Sequence, residues 1–166
     1  HGRIMKTFYS GPVFYDVIRA VRESLRIPVI ANGGGLTPET CKPLLTETGC
    51  TRLMIARGAL GNPWIFRELA GGDPPTLKEF AVQLESHIRD MIDYYGYDLG
   101  FRVARKTVLE YLRGRGFPAP LRASVSTLAG WNTFETFMIG VRQGPTDRYW
   151  EFLEKYPEQL ERKLKA

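Results

Sequence analysis

Cysteine and histidine are scarce in this chain of 166 residues, with two of each. Cys41 and Cys50 lack the paired spacing of a disulfide framework or a structural zinc site, so no metal is expected. A cytoplasmic, reducing setting is the simplest reading. No apolar run approaches the roughly 20 residues of a membrane span, so no membrane partner is expected. The start, His1-Gly2-Arg3, is neither a signal peptide nor a translation start and reads as that of a fragment or a processed chain. The dinucleotide fingerprint G-x-G-x-x-G is missing as well, because Gly33-Gly34-Gly35 does not have that spacing.

What is present belongs to a globular protein, with 43% hydrophobic and 25% charged residues. The formal net charge is +5, and it is unevenly placed: residues 99–122 carry six basic side chains and one acidic one. A polyanion would be felt mainly there; the alternative is a solvated helix face.

The stretch Pro28 to Pro38 organises the first half. Val29, Ile30 and Ala31 read as a short buried strand, the three glycines as a turn that lets a ligand approach the backbone, and Thr37-Pro38 as the capped start of a helix. A phosphate at this point would meet free amides and the positive end of a helix dipole, although an ordinary strand-to-helix connection has the same letters. Phe14, Val17, Ile18, Val21 and Leu25 predict a helix over 12–26 that buries one stripe; a second helix spans Pro38 to Thr48 and ends at Gly49. A second strand, Leu53 to Ala56, leads into Arg57-Gly58, and Asn62-Pro63 reads as the cap and first turn of a further helix. The order implies parallel strands whose glycine turns face one ligand, as in the last strands of a TIM-type (β/α)8 barrel or in a doubly wound sheet.

Residues 70–75 read as a linker, and beyond it the period becomes helical. Thr76-Leu77-Lys78-Glu79 is a capping box for a five-turn helix that ends at Gly96, with His87 beside its apolar stripe as a packing residue. A helix beginning near Leu99 places Arg102, Arg105, Lys106 and Arg113 within an arc of about 100°. Like charges so close repel one another, and an outside anion would relieve them. Further starts are expected at Asn132-Thr133-Phe134-Glu135 and Thr146-Asp147, with residues 158–166 frayed. The fold class is therefore α/β followed by all-α: residues 1–72 as the C-terminal part of an α/β barrel and 76–166 as a helical domain.

Several motifs in order resemble the tRNA-dihydrouridine synthases, the bacterial B-type members above all. They are His1-Gly2-Arg3, Phe8-Tyr9-x-Gly11-Pro12, Ile27 to Gly33, Leu53 to Glu68, and Tyr94-Tyr95-Gly96 with Arg102-x-Ala104-Arg105-Lys106. The resemblance implies a flavoprotein oxidoreductase of tRNA processing that reduces the C5–C6 bond of uridine, with FMN as cofactor and NADPH as reductant. It implies that Asn32, Gly33, Gly34, Arg57 and Gly58 hold the FMN phosphate, that His1 and Arg3 lie near the flavin or the uridine, and that Arg102, Arg105 and Lys106 meet tRNA. Gly34 and Ile4 stand where the family often has an acidic residue and a threonine. The family's catalytic cysteine belongs to an earlier part of the barrel; neither Cys41 nor Cys50 takes its role, so no catalytic residue is assigned and the segment alone should be inactive. The parent is expected to be a monomer. The competing functions are another FMN barrel, such as a dihydroorotate or ene-type oxidoreductase, and a non-catalytic RNA-binding fragment. Unpaired strand edges and bare apolar faces predict self-association of the isolated chain.

Overall fold

The computed structural model describes residues 1–4, 6 and 11–165, so Phe8-Tyr9 of the motif series and the terminal Ala166 lie outside the described residues. In the first part, helix α1 (Tyr15–Ser24) precedes strand β1 (Ile30–Asn32), helix α2 (Pro38–Thr48) and strand β2 (Arg52–Met54). The strands pair in parallel with Ile30 opposite Arg52 and Asn32 opposite Met54. The chain thus holds a two-stranded parallel sheet with helices packed on it, and the small core comprises Ile18, Ala31, Leu44 and Cys50. Helix α2 has the predicted bounds, ending at Gly49 with φ 67°. The strands start one or two residues from their predicted positions.

Helix α1 is shorter than predicted, and its stripe is not buried. Ile18 is 6% exposed, whereas Val17 and Val21 are 53% and 45% exposed, and Ile30 and Met54 on the strands are 56% and 60% exposed. An apolar period reports what a helix could bury; two strands offer cover for only part of it.

A 3-10 turn at Arg57–Ala59 follows β2, and helix α3 (Ile65–Leu69) follows that. Asn62 does not cap this helix as the sequence suggests. The cap position is Trp64, and the Asn62 side chain is turned to Arg115, whose Nη2 donates to Asn62 Oδ1 at 2.7 Å.

The second part contains α4 (Leu77–Tyr95), α5 (Tyr97–Leu112), α6 (Ala119–Ser124), α7 (Trp131–Gln143) and α8 (Asp147–Lys155). The Thr76–Glu79 capping box is formed, and Glu79 also receives Arg67 Nη1 at 2.9 Å. Helix α5 begins two residues earlier than predicted, directly behind Gly96. The sequence missed α6 because its apolar pattern is too short to show a period. Helix α7 starts at Trp131, not Asn132, because the Thr133 hydroxyl accepts from the Gly130 and Ala129 amides. Thr146 stands at the start of α8, yet its hydroxyl donates to the Gly116 carbonyl and does not cap the helix.

Aromatic rings fill the core. Phe80, Phe101, Tyr111 and Phe134 are at most 1% exposed, and Trp64 from the first part joins them, 5.9 Å from Phe80 and 6.1 Å from Tyr111 between ring centroids. The predicted linker is braced, since Arg67 Nε donates to the Asp73 carbonyl and Lys165 pairs with the Asp73 carboxylate at 2.7 Å. The tail predicted to fray is docked through residue 165. Leu164 is 2% exposed, its amide donates to Tyr149 Oη at 3.0 Å, and Lys165 bridges to Thr76. Aromatic anchoring of a charged tail leaves no periodic signature.

Gly61 has φ +63°, and a Cβ there would stand 2.3 Å from the Glu110 backbone. Gly61→Ala should cost about 2–4 kcal/mol through the left-handed conformation and overpacking together, seen as a melting temperature lowered by roughly 5–15 °C. Arg67 and the Thr76 backbone hold the Glu79 carboxyl well below its usual range, at about 2. The stability it contributes is present above the unfolded value near 4.5 and is lost as pH falls towards 2. Arg67→Ala should move the Glu79 carboxyl titration, followed by NMR, upwards.

Candidate functional site

The turn after β1 and the turn after β2 lie side by side because Asn32 Nδ2 donates to the Met54 carbonyl at 2.8 Å, tying the strand ends together. Gly58 completes the approach. It is buried, and a Cβ would stand 2.6 Å from the Gly35 carbonyl oxygen and 3.0 Å from that of Leu36, so only glycine lets the loops touch. Gly33 and Gly34 take φ of 138° and 72°, backbone that a side chain rarely adopts.

Between the loops lies a cavity of about 390 Å³. His1, Arg3, Asn32, Gly33, Gly34 and Arg57 all line it, which brings together every candidate for the flavin end except Gly58, which shapes it from behind. Two arginines face this space and no carboxylate lines it among the described residues, so its field is positive. Arg3 Nε and Nη1 are buried with no hydrogen-bond partner among the described residues. Buried guanidinium nitrogens left unsatisfied are costly, and an anion in the cavity would supply the missing acceptors.

The helix terminus contributes less than the sequence suggests. The Thr40 hydroxyl accepts from the Leu36 and Thr37 amides, and Thr37 Oγ1 accepts from the Thr40 amide, so the first turn of α2 already satisfies these donors. Free amides for an anion must come from the glycine turn, with α2 adding its dipole. Thr40 in the capping box was missed because it stands where Glu or Gln is the usual signal.

Cys41 lies inside α2 and Cys50 before β2; both are buried, and burial pushes the Cys41 thiol up. Neither thiol is open to solvent in the described chain.

On α5, Arg102 and Lys106 are exposed one turn apart, whereas Arg105 is half-buried and its Nε donates to the Leu128 carbonyl at 2.9 Å. Arg113 lies beyond the helix end and pairs with Glu110 at 2.9 Å. Arg115 is 0% exposed. The basic excess of residues 99–122 is therefore only partly available to a polyanion, because packing and ion pairs consume three of its cations. His87, half-buried, places Nδ1 3.1 Å from Tyr111 Oη. Among the described residues no group of three or more His, Cys, Asp or Glu could hold a metal, and no helix is long and apolar enough to cross a membrane.

A family model described as dihydrouridine synthase (Dus) matches residues 1–136. The chain is 45% identical over 120 residues to tRNA-dihydrouridine synthase B of Yersinia pestis, covering 68% of this chain and 37% of that protein. The same-named proteins of Salmonella typhimurium and Escherichia coli strain K12 are 42% and 43% identical over the same lengths. The chain thus spans little more than a third of the curated relatives it matches.

If both cysteines are as buried as the packing indicates, Ellman's reagent should leave the native chain essentially unreacted and titrate both thiols in guanidinium. Fast reaction of either thiol in the native chain would refute their burial.

Proposed function

The chain belongs to the dihydrouridine synthase family, and from that premise we propose that it forms the cofactor-tail and RNA-binding portion of an FMN-dependent tRNA-dihydrouridine synthase. The observation that carries this reading is the cavity in which the glycine turn, Arg3 and Arg57 converge without a carboxylate. Its residues fit a phosphate: unsatisfied guanidinium nitrogens on Arg3, a second forked donor on Arg57, and a turn whose backbone a ligand can approach.

Arg57 and Arg3 would neutralise the FMN phosphate, the backbone of Gly33 and Gly34 would shape the pocket around it, and Asn32 would hold the two strand ends in register. His1, exposed at the rim, would stand towards the reacting ring system. When bound and reduced by NADPH, FMN supplies the hydride for the uridine C5–C6 bond. The chain's own thiols donate no proton to that reaction, because both are buried. The 166-residue chain alone is accordingly inactive. Arg102 and Lys106 would contact tRNA phosphates. Arg105, whose Nε is bonded to the Leu128 carbonyl, would fix the loop beside them and add its charge to theirs.

Titration with FMN and with riboflavin separates the phosphate contribution from that of the ring. FMN should bind more tightly, and Arg57→Ala should remove roughly tenfold of that advantage; equal affinities would overturn the assignment. For tRNA, Arg102→Ala with Lys106→Ala should weaken binding and lower the slope of log affinity against log salt by about 2. An unchanged slope would remove these residues from the interface.

A further inference from the structure

A second cavity, of about 660 Å³, shares no lining residue with the first. It lies between α4, α5 and the segment 59–63. Apolar side chains line it: Leu60 and Tyr95, with 52% and 46% of their surfaces exposed, and Met91. Its floor is polar, formed where His87 Nδ1 meets Tyr111 Oη, with Gln83 alongside. Asp90 on α4 and Lys106 on α5 stand at its rim, and neither makes an ion pair among the described residues. The rim's other charge, Glu110, is engaged by Arg113.

We propose that this groove is a guanine-binding subsite that takes an unstacked base of single-stranded RNA, distinct from the cavity that faces the flavin. The inference rests on the RNA-binding reading of Arg102 and Lys106. A cavity of this size has room for a whole nucleotide, and exposed aromatic and aliphatic walls give its base a stacking surface. Lys106 is well placed for the phosphate that such a nucleotide carries, and Arg102, one turn back along α5, for the next phosphate. Asp90 would repel a phosphate, but its two oxygens match adjacent imino and amino donors. Guanine presents that pair, N1–H and N2–H, on its Watson–Crick edge; uracil offers a single imino donor between two carbonyls. The groove therefore selects against the base that the family's reaction consumes, which separates it from the site of reduction.

The test uses the full 166-residue chain and two fluorescein-labelled RNA hexamers, one all-uridine and one with a single central guanosine. The guanosine hexamer should bind about tenfold more tightly. Leu60→Trp, which fills the groove, should abolish that preference, and Asp90→Asn should reduce it with no change in melting temperature. Equal affinities for the two hexamers, or a preference that survives both substitutions, would overturn the subsite. A preference that is abolished while Lys106→Ala still lowers the salt slope supports it. Failure of the underlying RNA reading has a different signature: neither hexamer binds with a salt dependence that Lys106→Ala changes, and the subsite falls with it.

Discussion

Arg115 carries its positive charge with none of its surface exposed. Its Nη1 donates to the carbonyls of Gly61 and Tyr111 at 3.1 and 2.7 Å, its Nη2 to Asn62, and its guanidinium carbon lies 5.6 and 5.1 Å from the ring centroids of Trp64 and Phe80. Desolvation draws its pKa down to about 9, so it remains charged at neutral pH. A buried cation held by neutral carbonyls, an amide and aromatic faces is tolerated only while all of them are in place. The segment it grips, Gly61 to Trp64, lies three to seven residues beyond Arg57 and Gly58. The position of the loop that brings Arg57 to the positive cavity is thus set as much by the helical part as by strand β2.

That coupling gives the two halves of the chain different characters. The helical part closes around a single aromatic core and ties down its own tail with Tyr149 and Lys165. Among the described residues the sheet part is thinly covered: Val17, Val21, Ile30 and Met54 are about half exposed, and its buried cluster is Ile18, Ala31, Leu44 and Cys50. A parallel pair of two strands is the smallest unit of a fold that normally buries both faces, so its apolar pattern exceeds the cover available within the described chain. The positive cavity sits on this thinner part, held open by glycine backbone and braced from behind through Gly58 and the Arg115 network.

Placement of charge follows the same logic. Six basic residues lie in the stretch Leu99 to Arg122, and five of them divide by burial and by partner into distinct jobs. Arg115 joins the two parts, Arg105 bonds a loop carbonyl, Arg113 neutralises Glu110, and Arg102 and Lys106 remain on the surface of α5. A basic stripe on a helical wheel overstates what a polyanion meets, because a wheel contains no neighbouring carbonyls.

Features that depend on a few adjacent residues were legible without coordinates. The Thr76–Glu79 box, the Gly49 and Gly96 stops and the bounds of α2 follow from local hydrogen bonds and φ preferences. The converging turns followed from strand-turn-helix order, which dictates on which end of a parallel sheet the loops lie. What the tertiary structure alone decided was how each polar side chain is spent. Asn62 has the letters of a helix cap but serves Arg115, Thr146 bonds Gly116, and Arg3 turns buried donors to the cavity that find no partner among the described residues. These outcomes turn on partners 53 and 30 residues away or on a void between loops. A local pattern specifies a backbone, whereas the use of a side chain depends on which distant atoms folding brings within about 3 Å of it.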